Sequence, residues 1–165
     1  MVQNASKWFK NKPLDTKTMK KEVAVMLGGE YRHGLDPKNR IFIPAKLRDE
    51  LGTTFVVAKD LREKCLKLYS LEEWKNYIEP ILGQARKLQS KVLRFLSASM
   101  VEVTPDAHGR VVLPKELISY AEIDRNVVVV GCYNYAEVWS EEVYEKLKAE
   151  EDIDQMIADL EELGL

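Results

Sequence analysis

One sequence pattern occurs twice in this chain, seventy positions apart, and it constrains the fold more than any other feature. The segment DPKNRIFIPAKL, which starts at Asp36, returns as DAHGRVVLPKEL, which starts at Asp106. In both copies an Asp opens a turn, an Arg follows four positions later, and a proline ends a short apolar run. LKLYSLEEW and AEVWSEEVY, at 66–74 and 136–144, match at the same spacing. Because one unit of about fifty residues buries little surface alone, we expect the two copies to interleave around one core.

The residues of the turn explain why it forms in both copies. Asp36 suits the first position of a type I turn, and Pro37 has the backbone angle that the second position needs. Asn39 tolerates the left-handed conformation that closes a bulged hairpin, and Gly109 adopts that conformation without steric cost. We call 36–40 the first turn and 106–110 the second turn, and predict a tight hairpin at each.

Helices are predicted after the second strand of each unit and at the end of each unit. Pro44 and Pro114 end the strands RIFIP and RVVLP and open the helices AKLRDEL and KELISYA. Ser70 and Ser140 are suitable N-caps for the later helices. Glu73 completes a capping box with Ser70 only. Each unit is therefore predicted to have the order strand, turn, strand, short helix, strand, strand, helix.

Between the units, LEEWKNYIEPIL, the helix that follows Ser70, is succeeded by one more predicted helical segment, QARKLQSKVLRFLSAS. Pro80 and Gly83 separate them, which predicts an αα-hairpin. Apolar residues recur along them at helical spacing: Leu71, Trp74, Ile78, Ile81, Leu88, Val92 and Leu96. We interpret this stripe as core or as a contact between subunits.

The net charge of −2 hides an asymmetry along the chain. From Glu141 onward there are ten acidic and two basic residues, a net charge of −8, so residues 1–140 carry +6. A basic body attracts polyanions, whereas an acidic tail solvates, repels or covers a basic neighbour. The charge distribution fits a nucleic-acid partner without establishing one.

The sequence contains no motif for catalysis or for binding of a metal or cofactor. Ser/His/Asp, Cys/His, HExxH, phosphate-loop and dinucleotide patterns are missing. Cys65 and Cys132 lie far from each other and from His33 and His108, without metal-ligand spacing. We expect a protein that is not an enzyme and uses no cofactor or metal. The sequence also lacks an apolar run of about 20 residues and a signal-peptide core, which favours the cytoplasm.

The arginine that follows each turn is the best candidate for contact with a partner. Arg40 and Arg110 would present a planar fork of donors that matches phosphate or the O6/N7 edge of guanine. For Asp36 and Asp106, an ion pair across the turn is the structural alternative. Basic residues are denser around the first turn, at Arg32, Lys38, Lys46 and Arg48, than around the second, at His108 and Lys115. We therefore expect the first turn to face an anion and the second to be mainly structural.

Together these segments resemble a known family. GEYRHGLDPKNRIFIPAKLRDEL, followed by VEVTPDAHGRVVLPKEL, LYSLEEW and VWSEEVY, is closely similar to MraZ proteins, encoded at the head of the bacterial division and cell-wall gene cluster. The resemblance covers the chain from about Met26 to the C-terminus. The sequence departs from the family at Asn39, where Gly is frequent, and in the segment before Met26.

The resemblance implies an α+β, β-rich fold in which tandem AbrB-like swapped-hairpin units form one pseudo-twofold β-barrel core with flanking helices. The expected organisation is a flexible N-terminal extension at 1–25, a first unit at 26–76, a helical linker at 77–100, a second unit at 101–147 and an acidic tail at 148–165.

The resemblance also implies a sequence-specific transcriptional regulator, usually a repressor of its own gene cluster. It would assemble into a ring, bind short G-rich direct repeats in promoter DNA, and act in the cytoplasm at the nucleoid. Arg40 is expected to be the main DNA contact, with Lys38 close to phosphate and Asp36 shaping the turn. The other expected DNA-binding residues are Arg32, Arg110 and Asp106. An antitoxin-like protein-binding module remains the alternative, because small swapped-hairpin domains with acidic tails can wrap a protein partner.

Overall fold

The computed structural model describes residues 26–84 and 86–165, so the predicted extension at 1–25 lies outside the described residues. The strands are β1 (Glu30–Gly34), β2 (Arg40–Phe42), β3 (Phe55–Lys59), β4 (Leu66–Ser70), β5 (Val101–Val103), β6 (Arg110–Val112), β7 (Asn126–Gly131) and β8 (Ala136–Ser140). The helices are α1 (Ala45–Leu51), α2 (Leu71–Leu82), α3 (Arg86–Ser99), α4 (Lys115–Tyr120), α5 (Glu141–Ala149) and α6 (Ile153–Glu162). The first unit runs from β1 to α2 and the second from β5 to α5, in the predicted order. The acidic tail contains a helix, α6.

The local geometry of both turns is as predicted. The amide N–H of Asn39 donates to the carbonyl of Asp36 at 3.0 Å, and that of Gly109 to the carbonyl of Asp106 at 2.9 Å. Asn39 and Gly109 have φ of 57° and 77°, in the left-handed region. The two turns therefore close in the same way, although their closing residues differ.

Both serines occupy their predicted N-cap positions, but only one makes a capping bond with its side chain. The Ser70 hydroxyl accepts the backbone N–H of Glu73 at 3.1 Å. Ser140 also occupies the predicted N-cap position, of α5, but its side chain makes no capping bond. Its side chain is buried at the end of β8, and α5 instead has Glu141 and Glu142 in its first turn, where negative charge favours a helix N-terminus.

The two units exchange strands within one antiparallel sheet. The sheet order is β1-β7-β8-β4-β3-β5, with β1 of the first unit beside β7 of the second and β5 of the second beside β3 of the first. Strands β2 and β6 form a separate two-stranded ribbon. Ile41 pairs with Val111 in the ribbon, and Lys67 with Glu137 in the centre of the sheet. Both pairs join residues seventy positions apart, so a pseudo-twofold axis relates the units.

The predicted closure of the sheet into a barrel is not found among the described residues. Strands β1 and β5 end the six-stranded sheet, and each has one neighbour in it. Strands β2 and β6 have three residues each before the chain reaches Pro44 and Pro114. Because proline has no N–H to donate, the ribbon stops before it can join the two edges of the sheet. The observed class is a mixed α+β fold with an open antiparallel sheet.

The sheet is buried on both faces. One face packs on the ribbon and on α1 and α4, and this cluster includes Ile41, Phe55, Leu68, Val111 and Val138. On the other face, Val56 and Tyr69 pack against Trp74 of α2 and Leu96 of α3, and Trp139 packs near α5. The main core draws side chains from both units, as expected for copies that interleave. Within the described residues, no helix combines the length and apolar character that crossing a membrane requires.

Candidate nucleic-acid interface

Each turn is organised by an aspartate that binds the arginine four positions later. Asp36 Oδ1 accepts the backbone N–H groups of Lys38 and Arg40 at 2.8 and 2.9 Å, and its Oδ2 accepts Arg40 Nε at 2.6 Å. Asp106 makes the same three bonds with His108 and Arg110, each at 2.9 Å. The ion pair considered as the structural alternative is therefore present in both turns.

This ion pair positions the arginine without using its terminal donors. Each aspartate binds Nε, so the Nη groups of Arg40 and Arg110 remain available for other contacts. Arg40 Nη1 lies 3.9 Å from Asp106 Oδ2, which brings the two turns side by side. The side chains of Arg40 and Arg110 are 24% and 33% exposed. A structural role for the aspartate and a binding role for the arginine are therefore compatible.

Both turn aspartates have a pKa below the ordinary value. Desolvation raises the pKa of Asp36, but hydrogen bonds from the backbone and side chain of Arg40 lower it by more. For Asp106, the backbone N–H of Arg110 is the largest cause and lowers the pKa, against the opposing effect of desolvation. Both carboxylates are therefore ionised at neutral pH, and each holds its guanidinium in a fixed direction.

Arg48 connects α1 of the first unit to the second turn. Its Nε donates to the carbonyl of Ile43 at 2.9 Å, and its guanidinium lies 5.9 Å from the centre of the Phe42 ring. The guanidinium also lies against Gly109, where an added Cβ would come within 2.8 Å of Arg48 Cζ. Sequence reasoning placed Arg48 in the basic patch but missed this contact. One signal in the sequence could have indicated it. The residue of the second unit that is equivalent to Arg48 is Ile118, so only the second turn, which closes with Gly109, has an arginine packed against it.

Gly109→Ala is expected to destabilise the protein by about 1–2 kcal/mol, because alanine at φ of 77° adopts the left-handed conformation at a steric cost. The added Cβ should also displace Arg48 and move the second turn. The free energy of unfolding in urea measures the loss. Asn39→Gly is the matched control, since glycine fits φ of 57° and should unfold close to wild type. Equal stability of Gly109→Ala and wild type would contradict the contact.

The remaining predicted residues lie in two different environments. Lys38 is exposed at the tip of the first turn, next to Arg40. Arg32 lies on β1, where its Nη groups bind Glu30, Glu141 and Glu145 at 2.9, 2.9 and 2.6 Å. The hydrogen bonds that Arg32 donates to the carboxylate of Glu145, and then to those of the other two glutamates, raise its pKa. The structure thus joins Arg32 to α5 and not to the turns, and its contact with DNA stays a prediction.

The surface around the turns is open and mixed in charge. A groove of about 380 Å³ flanks the second turn and is lined by Arg48, Asp49, Gly52, Thr53, Thr104, Pro105 and Asp106. Among residues 26–84 and 86–165, no group of His, Cys, Asp and Glu is arranged to hold a metal ion. The groove is better suited to contact with an extended polar surface than to enclosing a small molecule.

Comparison with known proteins gives a consistent family match. The family described as "MraZ protein, putative antitoxin-like" matches residues 26–94 and 96–163. A protein of Caldanaerobacter subterraneus subsp. tengcongensis, named transcriptional regulator MraZ, is 41% identical over 130 residues, which cover 78% of this chain and 90% of the relative. A protein of the same name from Clostridium tetani is 38% identical over 143 residues, covering 85% of this chain and all of the relative. Another, from Dictyoglomus thermophilum, is 37% identical over 130 residues, covering 78% and 88%.

Proposed function

This chain belongs to the MraZ family, and from that premise we propose that it is a transcriptional regulator that binds promoter DNA through its two turns. The names of its relatives support the regulatory role. The geometry of the turns supports DNA as the ligand.

The observation that carries this proposal is the pair of aspartate-held arginines at adjacent turns. Arg40 and Arg110 are fixed through Nε, and the 3.9 Å approach of Arg40 to Asp106 brings the turns together. A fixed guanidinium loses little conformational freedom when its Nη donors bind guanine O6 and N7 in the major groove. Such a contact discriminates against the wrong base by about 1–3 kcal/mol.

Lysines around the first turn would supply the phosphate contacts. Lys38 and Lys46 are both exposed, whereas the second turn has His108 at the position of Lys38. Arg48 is held against Gly109, so it restrains the second turn. The first turn would accordingly be the main DNA contact, and the second would support it. Phosphate contacts make affinity fall as salt rises, because bound counterions are released.

We further propose that the chain is a repressor of the division and cell-wall gene cluster, acts at the nucleoid, and assembles into a ring. The resemblance to MraZ proteins implies these properties, together with short G-rich direct repeats as the operator. One pair of turns buries little DNA surface, so a single subunit should bind weakly. A ring that presents identical turns to successive repeats gains affinity through effective concentration.

The test is binding of the full chain to two DNA duplexes of equal length over a salt series. One carries the promoter repeats of its own gene cluster, and the other carries the same bases in scrambled order. The repeat duplex should bind more tightly at every salt concentration, and the logarithm of each affinity should fall linearly with the logarithm of salt. Equal affinity for the two duplexes at all salt concentrations would contradict sequence-specific recognition.

Binding of a protein partner in the manner of an antitoxin is the second candidate function. The observation in its favour is α6, an acidic helix with no buried residue. This function predicts that a different protein covers α6. If the chain purified from its own cells is a monodisperse assembly of this chain alone, the antitoxin-like function is contradicted.

A further inference from the structure

Helix α6 has an apolar stripe that nothing covers in the described structure. Ile153, Met156, Ile157 and Leu160 are 62%, 43%, 49% and 47% exposed. Their spacing places them on one face of the helix. A helix of ten residues is marginally stable in water when isolated, so the stripe is suited to packing against another surface.

The α2–α3 hairpin has an apolar surface that is also uncovered. A groove of about 510 Å³ runs along α2, and we call it the hairpin groove; its lining residues are Trp74, Lys75, Asn76, Ile78, Glu79 and Leu82. Leu82 is 54% exposed, and Leu88 at the start of α3 is 65% exposed. Gln89 donates to the carbonyl of Leu82 at 3.3 Å, so the two leucines lie at the same end of the hairpin. Of the stripe predicted from the sequence, Trp74 and Leu96 are core, whereas Leu71 and Leu88 are 42% and 65% exposed.

The charge of α6 is complementary to that of α3, the second helix of the hairpin. The sequence of α3, RKLQSKVLRFLSAS, contains four basic residues and no acidic one. Arg86, Lys91 and Arg94 are exposed and form no ion pair within the described part of the chain. The sequence of α6, IDQMIADLEE, contains four acidic residues and no basic one. The groove itself lies on α2, whose charged residues are Glu72, Glu73, Glu79 and Lys75, so the basic complement to α6 comes from α3, which contacts α2.

We propose that α6 of one copy of this chain docks in the hairpin groove of a second copy, with its acidic side chains facing α3. The proposal deepens the ring assembly of the proposed function and rests on self-association, independently of DNA binding. The lengths agree, since ten and twelve helical residues extend about 15 and 18 Å. Apolar side chains on the two helices supply the buried area, and the opposite charges set the orientation.

A second copy is the occupant because each chain carries both complementary surfaces, and both are open. The contact joins two different surfaces, so it is heterologous. Each copy therefore offers a free α6 at one end of a pair and a free hairpin groove at the other. Repetition of such a contact produces a ring when the rotation between copies closes, and a filament when it does not.

Two variants at exposed positions separate the two halves of the contact. The tail variant carries Ile157→Ser and Leu160→Ser. The groove variant carries Leu82→Ser in the groove and Leu88→Ser beside it, at the same end of the hairpin. Light scattering of the full chain without DNA should show wild type as a multiple of 19.0 kDa and each variant as a monomer. Leu61→Ser, at a leucine that is 48% exposed in the loop after β3, is the matched control and should assemble as wild type does. Circular dichroism and urea unfolding verify that each variant is folded.

Mixing the two variants is the decisive measurement. The intact α6 of the groove variant can bind the intact groove of the tail variant, and each mixed pair then has no further productive surface. An equimolar mixture should therefore form a species of twice the monomer mass, which neither variant forms alone. The dimer should be populated at a raised concentration, because a single contact lacks the gain that ring closure supplies.

Each other outcome contradicts the proposal and identifies a different arrangement. If the groove variant alone stays assembled, α6 does not need the groove. If the tail variant alone stays assembled, α6 is not part of the contact. If wild type is a monomer, α6 does not bind a second copy, and a different protein is its partner. If the mixture contains only monomers, head-to-tail docking is excluded. The docking and the DNA-binding function can fail separately. If the docking is absent, the binding of wild type to the repeat duplex is unaffected. If the DNA-binding function is absent, the mass of wild type in light scattering is unaffected.

A charge exchange provides an independent test with different side chains. Lys91→Glu with Arg94→Glu should lower the assembled fraction, and Asp159→Lys with Glu162→Lys should do the same. All four substitutions in one chain should restore assembly, because the charges are again complementary in every contact. Absence of recovery in a folded protein would contradict the pairing of α6 with α3.

Discussion

Arg40→Ala is expected to lower the affinity for promoter repeats by about 5- to 150-fold at each occupied turn, which corresponds to a lost contact of about 1–3 kcal/mol. Arg40 is the aspartate-held arginine of the turn that is richest in exposed lysine. The loss should be larger on repeat DNA than on scrambled DNA, because a guanine contact contributes to discrimination. Fluorescence anisotropy at one fixed salt concentration measures both affinities.

Three further variants are compared with Arg40→Ala to separate base contact, phosphate contact and nonspecific loss of charge. Arg110→Ala removes the equivalent arginine and should have a smaller effect, since the second turn has fewer basic neighbours. Lys38→Ala should weaken binding to both duplexes to a similar extent and reduce the salt slope by about 1. Arg62→Ala, at an exposed arginine in the loop after β3, is the matched control and should bind as wild type does. If Arg40→Ala bound the repeats as tightly as Arg62→Ala, the assignment of Arg40 would be wrong.

Ile41→Ala is expected to lower the free energy of unfolding by about 2–5 kcal/mol, the range for large-to-small substitutions in a core. Ile41 has no exposed surface and pairs with Val111 at the pseudo-twofold axis, where the two units meet. The cavity would open between the ribbon and the sheet, and both units contribute to its walls. Urea unfolding at a fixed protein concentration measures the loss as a lower midpoint with an unchanged slope.

Val112→Ala is the matched control for Ile41→Ala. Val112 is in β6, one position beyond the residue that pairs with Ile41, and 58% of its surface is exposed. An exposed substitution of this kind usually changes stability by less than about 0.5 kcal/mol. If Ile41→Ala lowered the free energy of unfolding as little as Val112→Ala does, the ribbon would not contribute to the shared core.

The local structure of each unit was predictable from the sequence because short-range chemistry decides it. Asp36, Asn39 and Gly109 have the side chains and backbone freedom that these turns require, and both turns formed as predicted. Ser70 caps α2 as its sequence context indicates. Ser140 occupies the equivalent position, but Val143 stands where Glu73 follows Ser70, and the buried Ser140 makes no capping bond.

The candidate site was predictable in part. The sequence indicated Arg40, Arg110 and the aspartates that hold them, since all four recur at the same spacing. It did not indicate that Arg32 binds three carboxylates, because two of them, Glu141 and Glu145, are more than a hundred positions away. The contact between Arg48 and Gly109 joins different units and has no equivalent in the repeat.

The sequence by itself determined that the chain contains two copies of one unit, that each has an Asp-x-x-x-Arg turn, and that the tail is acidic. These properties follow from spacing, turn chemistry and charge, which act over a few residues. Only the tertiary structure decided that β1 pairs with β7 and β5 with β3, and that the sheet stays open among the described residues. Such pairings depend on which distant surfaces exclude water together, and the same local pattern is compatible with a closed barrel or an open sheet.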